Sequence, residues 1–316
     1  MILALTTAAL GHIIWGFSYM FAKMGLEQTA PEVFLSCRFI LSLIFMSVPF
    51  LTGHQKFRFF DGRNLKPLII LALTEPLCFF FESYGLLYTN TTFAGAFVAI
   101  VPVVSVLTGI IFLKEYPTRR QAFFCLLPVT GVIIMTISGK SLGILSIIGV
   151  LFLLCNCFAS AAYKTFNRKS SAEFSTFERT YAVLLFSAAA FTLASFVKLD
   201  HPVQAYREAL CNPQILLLLV FLALISSILC NLLVNHAAAH LTVAQLATLG
   251  TLTTLTSMAA GIIFLKEPYS LAFFAGAALI LFGIWQVTRP SPAKSALPDA
   301  EETPAEETPS EETSEK

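Results

Sequence analysis

The sequence predicts an all-α membrane protein of ten transmembrane helices, arranged as two inverted five-helix repeats. Three observations carry that expectation. Of 316 residues, 56% are hydrophobic and only 12% charged, and the mean hydropathy is +0.77. A soluble domain carries about 25% charged residues, so there are too few polar side chains to cover a water-facing surface. Second, Gly109-Ile110-Ile111-Phe112-Leu113-Lys114-Glu115 returns 152 residues later as Gly261-Ile262-Ile263-Phe264-Leu265-Lys266-Glu267, and the same offset pairs Gly131 with Gly283. A fixed offset over half the chain marks an internal repeat. Third, basic residues distribute unevenly between alternate connections.

A spanning helix needs about 20 mainly apolar residues. Ten stretches meet that need: 3–22, 33–51, 67–87, 92–113, 120–138, 141–162, 179–198, 213–236, 242–265 and 270–289. Backbone groups facing lipid must be satisfied within their own segment, which leaves helices as the form for runs this long. Short connections favour antiparallel neighbours. The first run lacks a basic leader and an A-x-A site, so it reads as a retained span rather than a signal peptide. The division expected is 1–138 for the first repeat, 139–289 for the second and 290–316 for a tail.

With the N-terminus inside, cytoplasmic connections hold Lys56, Arg58, Arg63, Lys66, Lys114, Arg119, Arg120, Lys164, Arg168, Lys169 and Arg179. External ones hold Lys23, Lys140, Lys198, Arg207 and Lys266. Eleven bases against five place both termini on the cytoplasmic side. Five helices per copy is an odd number, so the second copy enters the bilayer upside down. Inverted repeats are typical of secondary transporters that rock one half against the other.

The tail carries Asp299 and seven glutamates against Lys294 and Lys316. Without those eight acids and two bases, 18 bases and 11 acids remain, a body charge of +7 that suits anionic lipid headgroups. The tail cannot bury apolar area, so a disordered cytoplasmic extension is expected. Bases scattered between apolar runs form no nucleic-acid footprint. Seven cysteines lack C-x-x-C spacing and read as buried structural thiols, with no cofactor implied.

The chain resembles the EamA family of the drug/metabolite transporter superfamily. The residues that carry the likeness are Trp15-Gly16, Pro31 followed by Arg38, Tyr84-x-Leu86-x-Tyr88-Thr89, Pro102, Leu113-Lys114-Glu115 and Gly131 in the first copy. Leu265-Lys266-Glu267 and Gly283 answer them in the second. The resemblance covers about 3–138 and 141–288. It implies an inner-membrane carrier, often an exporter of amino acids, other metabolites or drugs. Thr254 stands where Pro102 has its counterpart, and Glu75 and Glu82 lie outside the common pattern.

Ionisable side chains inside the bilayer cost about 2.5–3.5 kcal/mol on insertion scales, so each demands a partner or a purpose. Arg38 and Glu82 both lie about five residues inside the outer ends of their segments, roughly 7–8 Å deep. Two readings stay open for them: a structural ion pair, or direct substrate contact. Glu75 is seven residues from Glu82, on the same helical face but nearer the midplane. It is either a proton-coupling or substrate-amine site, or a carboxyl held by a hydrogen bond to a neighbouring helix. Pro76 beside it, like Pro102 and Pro128, frees a carbonyl and can kink its helix.

His12, Trp15, Tyr19 and Lys23 form one stripe on the first segment, with Trp15 and Tyr19 able to stack on a substrate or to pack at the interface. Ser227, Asn231 and Asn235 recur at spacing four and define a polar face on the eighth segment. His236 and His240 share that spacing without a nearby third ligand, so a metal is not expected. Asn156 and the threonines 248, 251, 253, 254 and 256 bond between helices or line a path. The expected partners are therefore a small-molecule substrate, lipid and, through Glu75, protons.

An enzyme would need a nucleophile–base set, an H-E-x-x-H motif or an acidic metal cluster, and none is present. A non-transporting scaffold or receptor is the alternative to a transporter. It would explain the helices but not inverted repeats enclosing acidic and aromatic stripes.

Overall fold

A computed structural model describes residues 1–52, 62–88, 101–138, 147–264 and 271–289. All regular structure among them is helical: α1 (Ile2–Leu26), α2 (Pro31–Leu51), α3 (Lys66–Tyr88), α4 (Val101–Leu113), α5 (Arg119–Phe124), α6 (Leu126–Ser138), α7 (Ile147–Ser170), α8 (Thr176–Lys198), α9 (Pro202–Cys211), α10 (Pro213–Ala238), α11 (Val243–Phe264) and α12 (Leu271–Thr288). Six of these, α1, α2, α3, α7, α8 and α10, are long and apolar enough to cross a membrane. Val101–Leu113 and Phe274–Thr288 are shorter apolar helices. Large apolar side chains such as Leu73, Phe158, Leu193 and Leu217 are exposed along the bodies of these helices, as lipid-facing surface requires.

Local chemistry sets the helix ends. Pro31, Pro202 and Pro213 stand in the first turns of their helices, where the missing N–H costs nothing. Ser175 with Glu178 and Thr118 with Gln121 form capping boxes at α8 and α5. The stretch 120–138 is not one helix but two, broken at Cys125. Pro128 has no N–H to offer the carbonyl of Phe124, and the ladder parts there.

Two boundaries differ from expectation in a way that matters. The stretch 141–162 continues as helix to Ser170, and α8 begins at Thr176. Lys164 and Arg179, counted above as connection charges, are therefore helical residues, and Arg179 is fully buried. Hydropathy reports contact with lipid, whereas a helix runs on as long as its backbone ladder does.

The packing of helices repeats between the halves. α1 packs on α11 as α4 packs on α7; α3 packs on α7 as α10 packs on α1; α3 packs on α8 as α2 packs on α10. The remaining large contacts, α2 with α8 and α6 with α12, each join equivalent helices of the two halves. Gly131 and Gly283, paired by the repeat, both lie in the α6–α12 contact. A Cβ at Gly131 would come 2.6 Å from the Gly276 carbonyl, and one at Gly283 would come 2.5 Å from Pro128 Cδ. Gly16 does the same for α1, where a Cβ would overlap Thr256 Oγ1 on α11.

The repeated G-I-I-F-L-K-E motif is a turn former where it is described. Lys114 takes φ +57°, ending α4 in the left-handed region. Glu115 does not cap the helix that follows it. Its Oε2 accepts from the amide of Val243 at 3.2 Å, at the start of α11, and its Oε1 accepts from Arg168 Nε at 3.1 Å. Thr118 serves α5 instead. Leu265, Lys266 and Glu267 lie outside the described residues, as does the tail.

Candidate functional site

The polar face of α10 becomes a hub because its neighbours spend their polar groups on it. Residues Leu222–Leu229 form a π-helical stretch, a widened turn that often occurs at functional sites. Two of its carbonyls are met from other helices. Trp15 Nε1 donates to Ser226 O at 2.8 Å, and Ser42 Oγ to Ala223 O at 3.3 Å. Arg38 donates from Nη2 to Ser226 Oγ and from Nε to Ser227 Oγ, both at 2.8 Å. Its guanidinium lies 5.1 Å from the Phe79 ring centroid and 5.6 Å from that of Phe39. Dispersing the charge over hydroxyls and aromatic faces is how a buried arginine is tolerated.

One and two turns on, Asn231 and Asn235 carry the network toward the opposite end. Asn231 Nδ2 donates to Ser227 O at 2.9 Å and to Glu75 Oε1 at 3.3 Å. Tyr163 OH donates to Asn231 Oδ1 at 2.8 Å and lies 3.2 Å from Asn235 Oδ1. Asn235 Nδ2 donates to Thr180 Oγ1 at 2.8 Å, and Asn167 Nδ2 to Asn235 Oδ1 at 2.5 Å. Arg179 closes the chain, donating to Asn235 O at 2.7 Å, to Asn167 O at 3.0 Å and to Asn167 Oδ1. Buried polar groups are costly unless bonded, and this chain of donors and acceptors meets most of them, Arg179 Nε being left without a partner.

Of the residues singled out from the sequence, Arg38, Glu75, Asn231 and Asn235 meet along this chain, and Trp15 joins it through its indole. Glu82 is half-buried, two turns beyond Glu75 on α3. Asn156 is buried on α7, where it accepts from Ser160 Oγ at 3.3 Å. Among the described residues it makes no hydrogen bond to Asn231 or Asn235. His12 is 3% exposed, with Nδ1 3.2 Å from Thr253 Oγ1 and its ring edge-on to Trp15 at 5.4 Å. The side chains of Tyr19 and Lys23 lie outside the described residues. His236 and His240 pack ring to ring at 5.1 Å at the end of α10, away from the network.

Three ion pairs join the halves at the two ends of the bundle. At one end, Lys198 Nζ lies 2.6 Å from Glu32 Oε1 and 4.5 Å from the Tyr84 ring centroid, while Tyr84 OH also bonds Glu32. At the other, Arg63 pairs with Glu178 at 2.9 Å and Arg168 with Glu115 at 3.1 Å.

The EamA-like transporter family matches residues 2–137 and again 147–289. The chain belongs to the EamA-like transporter family. It is a multi-pass membrane transporter with two EamA domains, and not an enzyme. Among similar proteins is the uncharacterized transporter YcxC of Bacillus subtilis (strain 168), 29% identical over 285 residues, covering 89% of this chain and 91% of that one. An uncharacterized transporter of Archaeoglobus fulgidus is 24% identical over 287 residues, covering 89% and 97% respectively. A solved crystal structure shares the fold with a TM-score of 0.75 at 14% identity, over 90% of this chain and 98% of that one.

Within the two EamA domains, the residues missed by sequence reasoning are Tyr163, Lys164, Asn167, Arg179 and Ser226. The signal for the first three was present: Tyr163 and Asn167 stand at spacing four, continuing the periodicity of Asn156 and Ser160. Ending the segment at 162 hid them. Arg179 looked like a solvated charge because nothing local shows that Asn235 and Asn167 await it. Among the described residues, no group of three His, Cys, Asp or Glu side chains is placed to hold a metal ion.

Proposed function

We propose that this EamA transporter is a secondary-active exporter of small metabolites, amino acids or drugs that works by alternating access. The observation that carries the reading is the buried polar chain along α10, at which helices of both halves meet around Glu75. The proposed architecture is ten spans in two inverted five-helix repeats, 1–138 and 139–289, followed by the acidic tail 290–316. The reciprocal packing of α1 on α11 and α4 on α7 supports it, since a two-fold exchange of halves turns one contact into the other. The proposed orientation is N-in and C-in across the inner membrane. Setting aside Lys164 and Arg179, which reach into the bundle from α7 and α8, nine bases against five keep the same sign.

Alternating access requires contacts between the halves that part and reform cheaply. The Glu32–Lys198, Arg63–Glu178 and Glu115–Arg168 pairs suit that role, each joining one half to the other at an end of the bundle. Arg168 and Glu115, both about a quarter exposed, make a pair that contributes about 0–1 kcal/mol, so breaking it is no obstacle to rocking. Glu75 is the proposed proton-coupling residue. The charged and titratable groups within its electrostatic reach are Arg38 on α2, Cys78 and Glu82 on α3, and Tyr163 and Lys164 on α7.

The test is uptake into proteoliposomes holding the full chain, with amino acids and cationic drugs supplied with and without a pH gradient. Flux of at least one solute class, faster with the gradient, is expected. No flux with any solute would leave a scaffold or receptor as the better reading.

A further inference from the structure

We propose that Lys164, His12 and the backbone of Gly250 form a docking position for a carboxylate group of the transported solute. This rests on the transport reading and adds the chemical class of the ligand. Lys164 stands on α7, one turn beyond Ser160, whose hydroxyl touches Cys78 Sγ of α3 at 3.7 Å. Its ammonium reaches across to α11. A Cβ built on Gly250 would lie 3.4 Å from Lys164 Cε, 3.8 Å from Lys164 Nζ and 3.6 Å from His12 Cε1. Three helices thus bring a cation and an imidazole to a point on α11 where a glycine leaves room beside the backbone.

Neither group is used up. Among the described residues Lys164 makes no hydrogen bond and no ion pair within 4 Å, whereas Arg38, Arg168, Arg179 and Lys198 all do. His12 Nε2 is buried and has no hydrogen-bond partner. A buried polar group without a partner is costly and persists where a ligand completes it. Glu75 lies within electrostatic reach of Lys164, but the hydrogen bond it accepts comes from Asn231.

The chemistry selects a monoanion. One ammonium and one imidazole match a single carboxylate, while Glu75 nearby opposes a phosphate dianion. Thr253 Oγ1 reaches both His12 O at 3.1 Å and His12 Nδ1 at 3.2 Å. Its one proton goes to the carbonyl, so Nδ1–H donates to Oγ1 and Nε2 is left to take the proton that a carboxyl group brings, the carboxylate oxygen then accepting from Nε2–H. α7 packs on α11, so ligand entry separates those two helices.

Trp15 supplies the readout, since its ring is 5.4 Å from that of His12 and the chain has only one other tryptophan, Trp285. The full chain carrying Trp285→Phe, in detergent micelles, is titrated with acetate and benzoate, with acetamide and benzamide, and with methyl phosphate. Saturable change of Trp15 emission with the carboxylates alone is expected. Lys164→Gln should weaken it at least tenfold and Lys164→Arg should restore it, with thermal melts showing that both variants are folded. Gly250→Ala, whose Cβ has room at ordinary contact distance, should fold and bind more weakly. An equal response to the amides, a stronger response to methyl phosphate, or unchanged binding in Lys164→Gln would overturn the proposal. Flux of solutes that is indifferent to Lys164→Gln would also overturn it while leaving transport intact. Saturable, Lys164-dependent binding without any flux would support the site and remove the transport reading.

Discussion

Asn231 Nδ2 donates to Glu75 Oε1 at 3.3 Å, so a buried acid of the first half is held by an amide of the second. The same amide accepts Tyr163 OH through Oδ1 at 2.8 Å. Asn231→Leu removes both bonds without adding bulk. Hydrogen bonds of this kind are each worth about 1–3 kcal/mol when one partner is left buried and unmet. The variant should melt at a lower temperature and lose at least tenfold in solute flux, whereas Asn231→Gln should recover part of each. Unchanged flux at unchanged melting temperature would count against Asn231 as a member of the site.

Gly131 and Gly283 set the contact between α6 and α12, so alanine at either position should be destabilising. Overpacking of this kind costs about 1–3 kcal/mol. Gly109 provides the contrast: a Cβ there would sit 3.4 Å from Val243 Cβ, an ordinary contact. Gly109→Ala should be neutral or stabilise by up to about 1 kcal/mol through helix propensity. Thermal melts of the three variants in one detergent check the ordering.

Arg179 and Lys198 separate burial from mere charge. Arg179→Leu strands the carbonyls of Asn235 and Asn167 and should cost about 3 kcal/mol, at 1–3 kcal/mol for each unmet group. Lys198→Ala leaves buried Glu32 the bond from Tyr84 OH, so it should cost less, about 1 kcal/mol. Equal losses in thermal melts would show that the Arg179 network is not structural.

Sidedness tests the inverted repeat. Lys114 should react with a membrane-impermeant amine reagent only from inside the cell, and Lys266 only from outside. Mass spectrometry of labelled spheroplasts and inverted vesicles gives the answer. Labelling of both from one side would mean parallel repeats.

The all-helical membrane fold, the duplication and the polar face of α10 were legible in the sequence because each is a pattern written along the chain. Ser227, Asn231 and Asn235 fall one turn apart, so their shared face follows from helix geometry alone. What they bond to did not follow. Tyr163, Asn167 and Arg179 come from two other helices, and no local pattern announces a contact spanning 56 to 72 residues. Hydropathy also hid Lys164: it marks where lipid contact fades, and a lysine facing the protein interior fades it early. Glu115 closes the repeated motif just ahead of α5, yet the helix it serves is α11, 128 residues away. The π-helical stretch in α10 left no signal, because two of its carbonyls are met by Trp15 and Ser42 from other helices.

In the proposed cycle, solute movement is coupled to a proton on Glu75. Glu75→Gln keeps the shape of the side chain and an oxygen that can accept from Asn231, so the variant should fold. In proteoliposomes, flux of a transported solute through the parent chain should rise with an imposed pH gradient. Flux through Glu75→Gln should lose that dependence. A variant that still responds to the gradient as the parent does would contradict the account.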